Sequence, residues 1–583
     1  MGISNCFQDF IAGPWISLIG AGIVCWLSFS AMTYVMGILE TKKIIRKKQE
    51  DREAQFKKLE SQSRYQLNEK HEKILSLSDD ELIDQLQSRK LTAVEVQEAF
   101  IAKSIKVTRE FNMVTEFIPQ AEEWAKELDA MKGSLRGPLH GFPISVKDNC
   151  NVIGMDSTIG LGKFLYQPAE DSSAIVKSLM ALGAIPFAKT NVPQTLLSFG
   201  CANPVFGLTK NFLNSSLSPG GSSGGESSLI AAGGSRLGIG SDIGGSVRIP
   251  AHFTGIAGFK VTKGRFCGTG FRGSLPNVVG IMGVPGLLAD NINMIAKTTK
   301  YMTENNLQTK YDPLAVPIPW NEQMFSKKKL KIGYFTSLPY FPLVGDTEEI
   351  VLKAKSALES QGHTLVPFEM PDSFEMMNLV FDFCFGDAGE YLLKNWRHEP
   401  IPLSVVVNFM ICKSPMWMRK VIVLIMGCKW MPLVHSSRAV TIIGRGANST
   451  SKLWERLGDR KKMTEDLLTS WKAANLDLVL CPTYPFPAVP HHMPGRLQPS
   501  VFYTMIWNLF DFPAGVIKWG TESGEKVDKY DCQNDMVLRT GKQGAKQATG
   551  MPISVQIVGL PFQEELVLRG LAELEAVSPY KKK

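Results

Sequence analysis

The chain has 583 residues with a formal net charge of +8, and 21% of them are charged and 44% hydrophobic. That length exceeds one ordinary core and leaves room for two or three domains, or for one large α/β domain with insertions. The composition excludes a disordered chain and a polytopic membrane protein, and no zinc-finger, RNP-like or helix-turn-helix signature supports a nucleic-acid partner.

The chain opens on a segment without charge. Phe10 to Leu39 carries no Asp, Glu, Lys or Arg, which is longer than the ~20 residues a helix needs to cross a bilayer. A transmembrane helix is predicted over 10–39, with Trp15, Trp26 and Tyr34 as interfacial anchors. Lys42, Lys43, Arg46, Lys47 and Lys48 follow at once, while only Asp9 precedes. The positive-inside rule then places residue 42 onward in the cytosol. A cleaved signal peptide is the competing reading. It lacks a basic n-region and a small-residue cleavage site ahead of the basic cluster. The ten cysteines are scattered, with no C-x-x-C, so neither a disulfide framework nor a zinc site is expected, and a reducing compartment is.

Residues 40–76 are highly charged and predict a helical stalk, and 77–583 predicts one catalytic domain. Ser78 to Glu81 and Thr92 to Glu95 each set a hydroxyl three residues before a Glu, two capping boxes. Strand-like runs follow at 142–146 (FPISV), 330–335, 477–481 and 553–559, with a helical pattern at 347–362. The alternation argues for an α/β domain around a mixed sheet. The Asn-, Gln- and Pro-rich seam at 300–330 reads as a loop between core segments, and 540–550 (TGKQGAKQATG) as a mobile loop.

Two segments are rich in glycine and serine. SPGGSSGGESS (218–228) reads alone as a linker. It feeds the small-residue run SLIAAGG, however, and a helix entry of that kind presents free N–H groups. GSDIGGSVRIP (240–250) sets Ser246 after two glycines. The amides of Ile243, Gly244, Gly245 and Ser246 are candidate oxyanion-hole donors. Asp242 and Arg248 flank the glycines as a structural pair. Gly221 to Gly225 formally matches the G-x-S-x-G elbow, but it follows Ser-Pro rather than a strand. A serine nucleophile needs a base, and none of the eight histidines relates clearly to these loops. Lys147, at the end of FPISV, fits that role if burial depresses its pKa. A strand-end lysine paired with Asp148 would look the same.

Taken together, GFPISVKDN (141–149), SPGGSSGGES and GSDIGGSVRIPAHFTGIAGFK resemble the amidase signature family of serine hydrolases. Their order fits, Ser222 and Ser246 stand 24 residues apart, and GMPISVQIVG (550–559) extends the likeness. The resemblance implies an α/β amidase-signature fold, a mixed twisted sheet covered by many helices. It implies a Ser-Ser-Lys triad with Ser246 as nucleophile, Ser222 as bridging serine in cis geometry and Lys147 as general base. Ser223 would support the loop by hydrogen bonding. No metal or cofactor is implied. Val261 stands where soluble members of the family usually have proline.

Further stretches, among them 188–207, 494–515 and 560–569, resemble the membrane-bound branch of the family that cleaves fatty acid amides. That likeness implies a lipid amide substrate such as an N-acylethanolamine or oleamide, some esterase activity, a homodimer and an endoplasmic reticulum membrane. It also implies an acyl pocket including Leu197, Phe199 and Phe385, with Phe562 where the branch often has tryptophan. Residues 401–434 are apolar, broken at Ser414-Pro415, and interspersed with Lys413, Arg419, Lys420 and Lys429. They suit two helices lying in a membrane interface, with core or dimer-interface helices as the alternative. A small-amide hydrolase of the same family and a catalytically silent membrane-associated paralogue remain as rival functions.

Overall fold

The computed structural model describes residues 14–132, 136–275, 278–426, 437–444, 446 and 449–580. Its centre is a mixed sheet of eleven strands. The strands are β1 (Val114–Phe117), β2 (Pro143–Lys147), β3 (Ile185–Thr190), β6 (Leu237–Asp242), β7 (Ala257–Lys260), β8 (Val284–Ala289), β9 (Lys331–Tyr334), β10 (Thr364–Pro367), β11 (Leu478–Pro482), β12 (Ala514–Thr521) and β13 (Pro552–Gly559). Their spatial order is β1-β3-β2-β6-β8-β7-β12-β13-β11-β9-β10. The short strands β4 (Ala202–Asn203) and β5 (Gly207–Leu208) pair separately. Both faces of the sheet are covered, as the apolar runs require. Leu478 and Leu480 enter the core on one face, Val479 and Cys481 the core on the other. The four expected strand-like runs are β2, β9, β11 and β13, each displaced by no more than a residue at either end.

Helix α1 (Pro14–Glu60) runs unbroken from the described part of the expected span into the expected stalk and ends at Glu60; the rest of the stalk, to residue 76, is a 3-10 turn (Ser63–Tyr65) and a separate short helix (Glu69–Ser76). Residues 10–13 lie outside the described residues. Among the described residues no helix is long and apolar enough to cross a membrane. The second half of α1 is not a free stalk. Ile45 and Phe56 are buried. Lys48 reaches Glu116 at 2.7 Å and Asp156 at 3.0 Å, and Arg52 donates to Thr115 O at 2.9 Å and Asn112 Oδ1 at 2.8 Å. The charges that suggested a solvated rod are the ones that strap it to the domain.

Helices α2 (Asp79–Gln87) and α3 (Ala93–Phe111) both begin with the complete capping box expected of them. Helices α4 (Gly224–Ala231) and α5 (Arg248–Thr254) follow the two glycine-rich loops. Helix α6 (Thr347–Ser360) occupies the predicted helical stretch. Residues 401–426 form α7 (Val406–Lys413) and α8 (Met416–Met426), broken where Ser414-Pro415 predicted; 427–434 of the expected pair, with Lys429 and Trp430, lie outside the described residues. Helix α8 is not a core helix, since Trp417 is 67% and Leu424 75% exposed, whereas α7 buries Asn408 and Cys412. Arg419 departs from the expected pattern of outward cations. It is buried and donates to the carbonyls of Ser414, Ala388 and Cys412 at 2.8–3.0 Å.

Helix α9 (Phe502–Leu509) is wholly buried. Helix α10 (Met536–Ala545) replaces the first part of the expected mobile loop. Asp535 caps it by accepting from Val537 N and Leu538 N. Its glycines are packing positions, because a Cβ at Gly544 would lie 2.7 Å from Val489.

Candidate active site

Strands β2 and β6 are parallel neighbours, with Ile144 opposite Leu237 and Val146 opposite Ile239. Their carboxyl ends therefore bring Lys147 beside Ser241 and Asp242. Alternation along β2 turns Ile144 and Val146 into the hydrophobic core and Ser145 and Lys147 to the other face. On that face Lys147 is fully buried. Its Nζ donates to Ser222 Oγ at 2.8 Å, Ser241 Oγ at 3.0 Å and Ser241 O at 3.2 Å. Burial pulls its pKa down to about 7, against the opposing pull of Asp242 and Glu226. Lys147 makes no ion pair with Asp148, whose carboxylate instead accepts from Thr158 and Ile159. Below it, Glu226 accepts from Ser145 Oγ and Thr190 Oγ1, and burial pushes its carboxyl up to about 8.

The two glycine-rich loops are both part of this site, and neither is a linker. The Gly221–Ser222 peptide is cis, as the resemblance implied. Ser223 N donates to Ser246 O at 3.1 Å, which joins the loops. The support from Ser223 is through its backbone: its hydroxyl is buried without a hydrogen-bond partner among the described residues, close over Gly240. Gly245 has φ of +115°, and a Cβ there would meet Thr504 Oγ1 at 2.2 Å, so only glycine fits. Its amide differs from the expectation. Gly245 N donates to Asp242 Oδ1 at 2.8 Å, which leaves Ile243, Gly244 and Ser246 as amides without an acceptor among the described residues. The turn tightens so that a carboxylate can anchor it, and the anchor takes one donor.

Asp242 and Arg248 hold that turn. Arg248 Nε and Nη2 donate to the two Asp242 oxygens at 3.0 and 2.9 Å, and its remaining donors reach Gln556 Oε1 and Asn508 Oδ1 at 2.8 and 2.7 Å. Burial pushes the Asp242 carboxyl up, but the Arg248 charge overcomes it and holds the group well below the usual carboxylate range. Arg248→Met leaves a buried carboxylate unpaired and is expected to cost about 3–5 kcal/mol in denaturant unfolding. A loss under about 1 kcal/mol, the scale of an exposed pair, would contradict this account of the loop.

Ser246 lines an apolar pocket together with Leu197, Phe199, Ile243, Gly244 and Phe385. The three expected acyl-pocket residues thus meet at one site; Phe562 does not line it. Sequence reasoning missed Ser241, although it stands in the quoted loop, and the pocket residues Phe381, Val501 and Met505. The last two recur at a four-residue spacing, a helical signal open to reading in the apolar run that ends at Leu509.

Parallel strands β2 and β6 thus end at Lys147 and at the Ser246 loop, the Ser222 loop packs against both, and an apolar pocket opens beside them, an arrangement suited to hydrolysis of an acyl compound. The chain matches the Amidase family over residues 95–568. It is 36% identical over 508 residues to Fatty acid amide hydrolase 1 of Caenorhabditis elegans, covering 86% of this chain and 88% of that one. To Fatty-acid amide hydrolase 1 of Sus scrofa it is 34% identical over 512 residues, 86% of each chain. A solved fatty acid amide hydrolase shares the fold at a TM-score of 0.75 and 22% identity, covering 94% of this chain and 96% of that one. The chain belongs to the amidase family, and it is an amide hydrolase similar to the fatty acid amide hydrolases.

Proposed function

We propose that the protein cleaves long-chain fatty acid amides to fatty acid and amine through Ser246, Ser222 and Lys147. The observation that carries this reading is a fully buried lysine of lowered pKa, hydrogen-bonded to Ser222, behind an apolar pocket that Gly221 and Ser246 line. As a neutral amine, Lys147 has two N–H bonds and one lone pair. Ser241 O and Oγ accept the N–H bonds, and the lone pair faces Ser222. Ser246 Oγ attacks the amide carbonyl and passes its proton to Ser222, whose own proton moves to Lys147. The Ile243, Gly244 and Ser246 amides carry the oxyanion. The proton returns through Ser222 to the departing nitrogen as the C–N bond breaks. Water then releases the acid from Ser246.

Membrane association belongs to the same proposal. Trp26, Phe29, Met32, Val35 and Leu39 of α1 are exposed, as are Leu403, Met410, Trp417 and Leu424. The two sets adjoin at His398, whose ring meets Tyr34 edge-on at 5.2 Å. Large exposed apolar surface marks a contact face, and the cations Lys413 and Lys420 interspersed with it favour a membrane as the partner. With the basic cluster after residue 41, the catalytic domain lies on the cytosolic side of an intracellular membrane, the endoplasmic reticulum. The expressed chain stays with membranes through an alkaline carbonate wash; recovery in the wash would contradict the anchor.

A substrate series tests the reaction. At about 0.8 kcal/mol per buried methylene, kcat/KM for an eighteen-carbon amide exceeds that for butyramide by at least ~10³-fold. Equal values would favour a small-amide hydrolase.

A further inference from the structure

The apolar pocket holds two carboxamides. The Gln498 side-chain nitrogen is buried with no hydrogen-bond partner among the described residues, and Gln498 lines the pocket. Asn408, on α7, lines it too and is 5% exposed. Its nitrogen donates to Leu197 O at 3.3 Å, while its oxygen accepts no hydrogen bond among the described residues. An unpaired polar group in an apolar site costs about 1–3 kcal/mol. A purely hydrocarbon chain repays none of that.

Position along the pocket follows from the chain. Met505 covers Gly244, whose Cβ would sit 3.2 Å from it, so Met505 marks the catalytic end. Val501 and Gln498 continue the same wall four and seven residues earlier. Three residues of 3-10 helix and four of α-helix put Gln498 roughly 12 Å from Met505 along the chain axis, the length of roughly nine carbons of an extended chain. The turn ahead of Gln498 lies against the segment leading into α7: a Cβ on Gly495 would be 3.2 Å from Ser404 O. Asn408, four residues beyond Ser404 on α7, lines the same pocket as Gln498.

We propose that the pocket selects acyl amides bearing a mid-chain hydroxyl, near carbons 8 to 10, held between Gln498 and Asn408. A hydroxyl accepts from the Gln498 nitrogen and donates to the Asn408 oxygen, and a methylene at the same depth does neither. The inference rests on the fatty acid amide reading above and narrows its substrate class.

The test compares octadecanamide with its 10-hydroxy and 17-hydroxy derivatives on the full-length, membrane-bound enzyme. Wild type prefers the 10-hydroxy chain over the plain one by about tenfold in kcat/KM, and shows no such preference for the 17-hydroxy chain. Gln498→Leu and Asn408→Leu each abolish the preference, and Gln498→Leu raises kcat/KM for the plain chain. Fluorophosphonate labelling identifies folded enzyme in each preparation. Ratios that both substitutions leave unchanged, or a wild type that prefers the plain chain, overturn the inference and leave the fatty acid amide reading standing. Labelled wild type that turns over none of the three chains overturns both.

Discussion

Ser246→Ala is expected to lose fatty acid amide hydrolysis by about 10⁴-fold or more, because every later step needs the acyl-enzyme bond it forms. Ser246 alone combines a free pocket-facing position with adjacent unpaired amides. Ser222 is occupied by Lys147 at 2.8 Å, and the Ser223 hydroxyl is sealed against Gly240. The arrangement therefore ranks the three serines. Ser222→Ala breaks the relay but keeps nucleophile and oxyanion donors, so its loss is smaller, on the order of 10²–10³-fold as for other lost acid–base groups. Ser223→Ala removes no hydrogen bond and retains most activity. Steady-state hydrolysis by membranes at matched expression reads all three. Residual activity in Ser246→Ala above about a tenth of wild type, far beyond what binding and oxyanion donors leave behind, would contradict the assignment.

The second large effect is a pH dependence set by Lys147. Its pKa lies at about 7 because burial disfavours the charged form. Below that value the amine carries a proton and cannot take one from Ser222. kcat/KM is accordingly flat above about pH 8 and falls about tenfold per pH unit on the acid side of 7. Lys147→Met removes the limb together with most of the activity. It does not weaken the fold. In the unfolded chain the lysine ionises near 10.5, so between pH 7 and 10.5 the unfolded state binds the extra proton. Stability contributed at this site then rises with pH across that window and is lowest below 7. Methionine fills the same space without the buried amine, and Lys147→Met unfolds at a denaturant concentration no lower than wild type at pH 7. A profile flat down to pH 5 in wild type would contradict the base.

Much of the site was legible because its chemistry lies in three short stretches. GFPISVKDN shows a lysine leaving an apolar strand, and the two glycine loops show where a backbone must come close. What could not be read is what distant segments add. Gln498, Val501 and Met505 reach the pocket from a segment more than 250 residues beyond Ser246. Asn408 arrives on a helix whose apolar pattern says nothing about which polar residue faces in. β6, LGIGSD, carries two glycines that argue against a strand. They are tolerated because Glu226 at Gly238, and Leu288, Val247 and Ser223 at Gly240, occupy the space their side chains would take. The charge run in α1 reads as solvated until Glu116 and Asp156 are seen to meet Lys48. Ion pairs between segments some 70 to 110 residues apart leave no local pattern.

The most direct test of the central claim is peptide mass mapping of the full-length protein after reaction with a long-chain alkyl fluorophosphonate, at pH 6 and pH 9. The account predicts one adduct, on Ser246, formed faster at pH 9 and absent from Ser246→Ala. An adduct on Ser222 or Ser223, or none on folded enzyme that still hydrolyses octadecanamide, would contradict it.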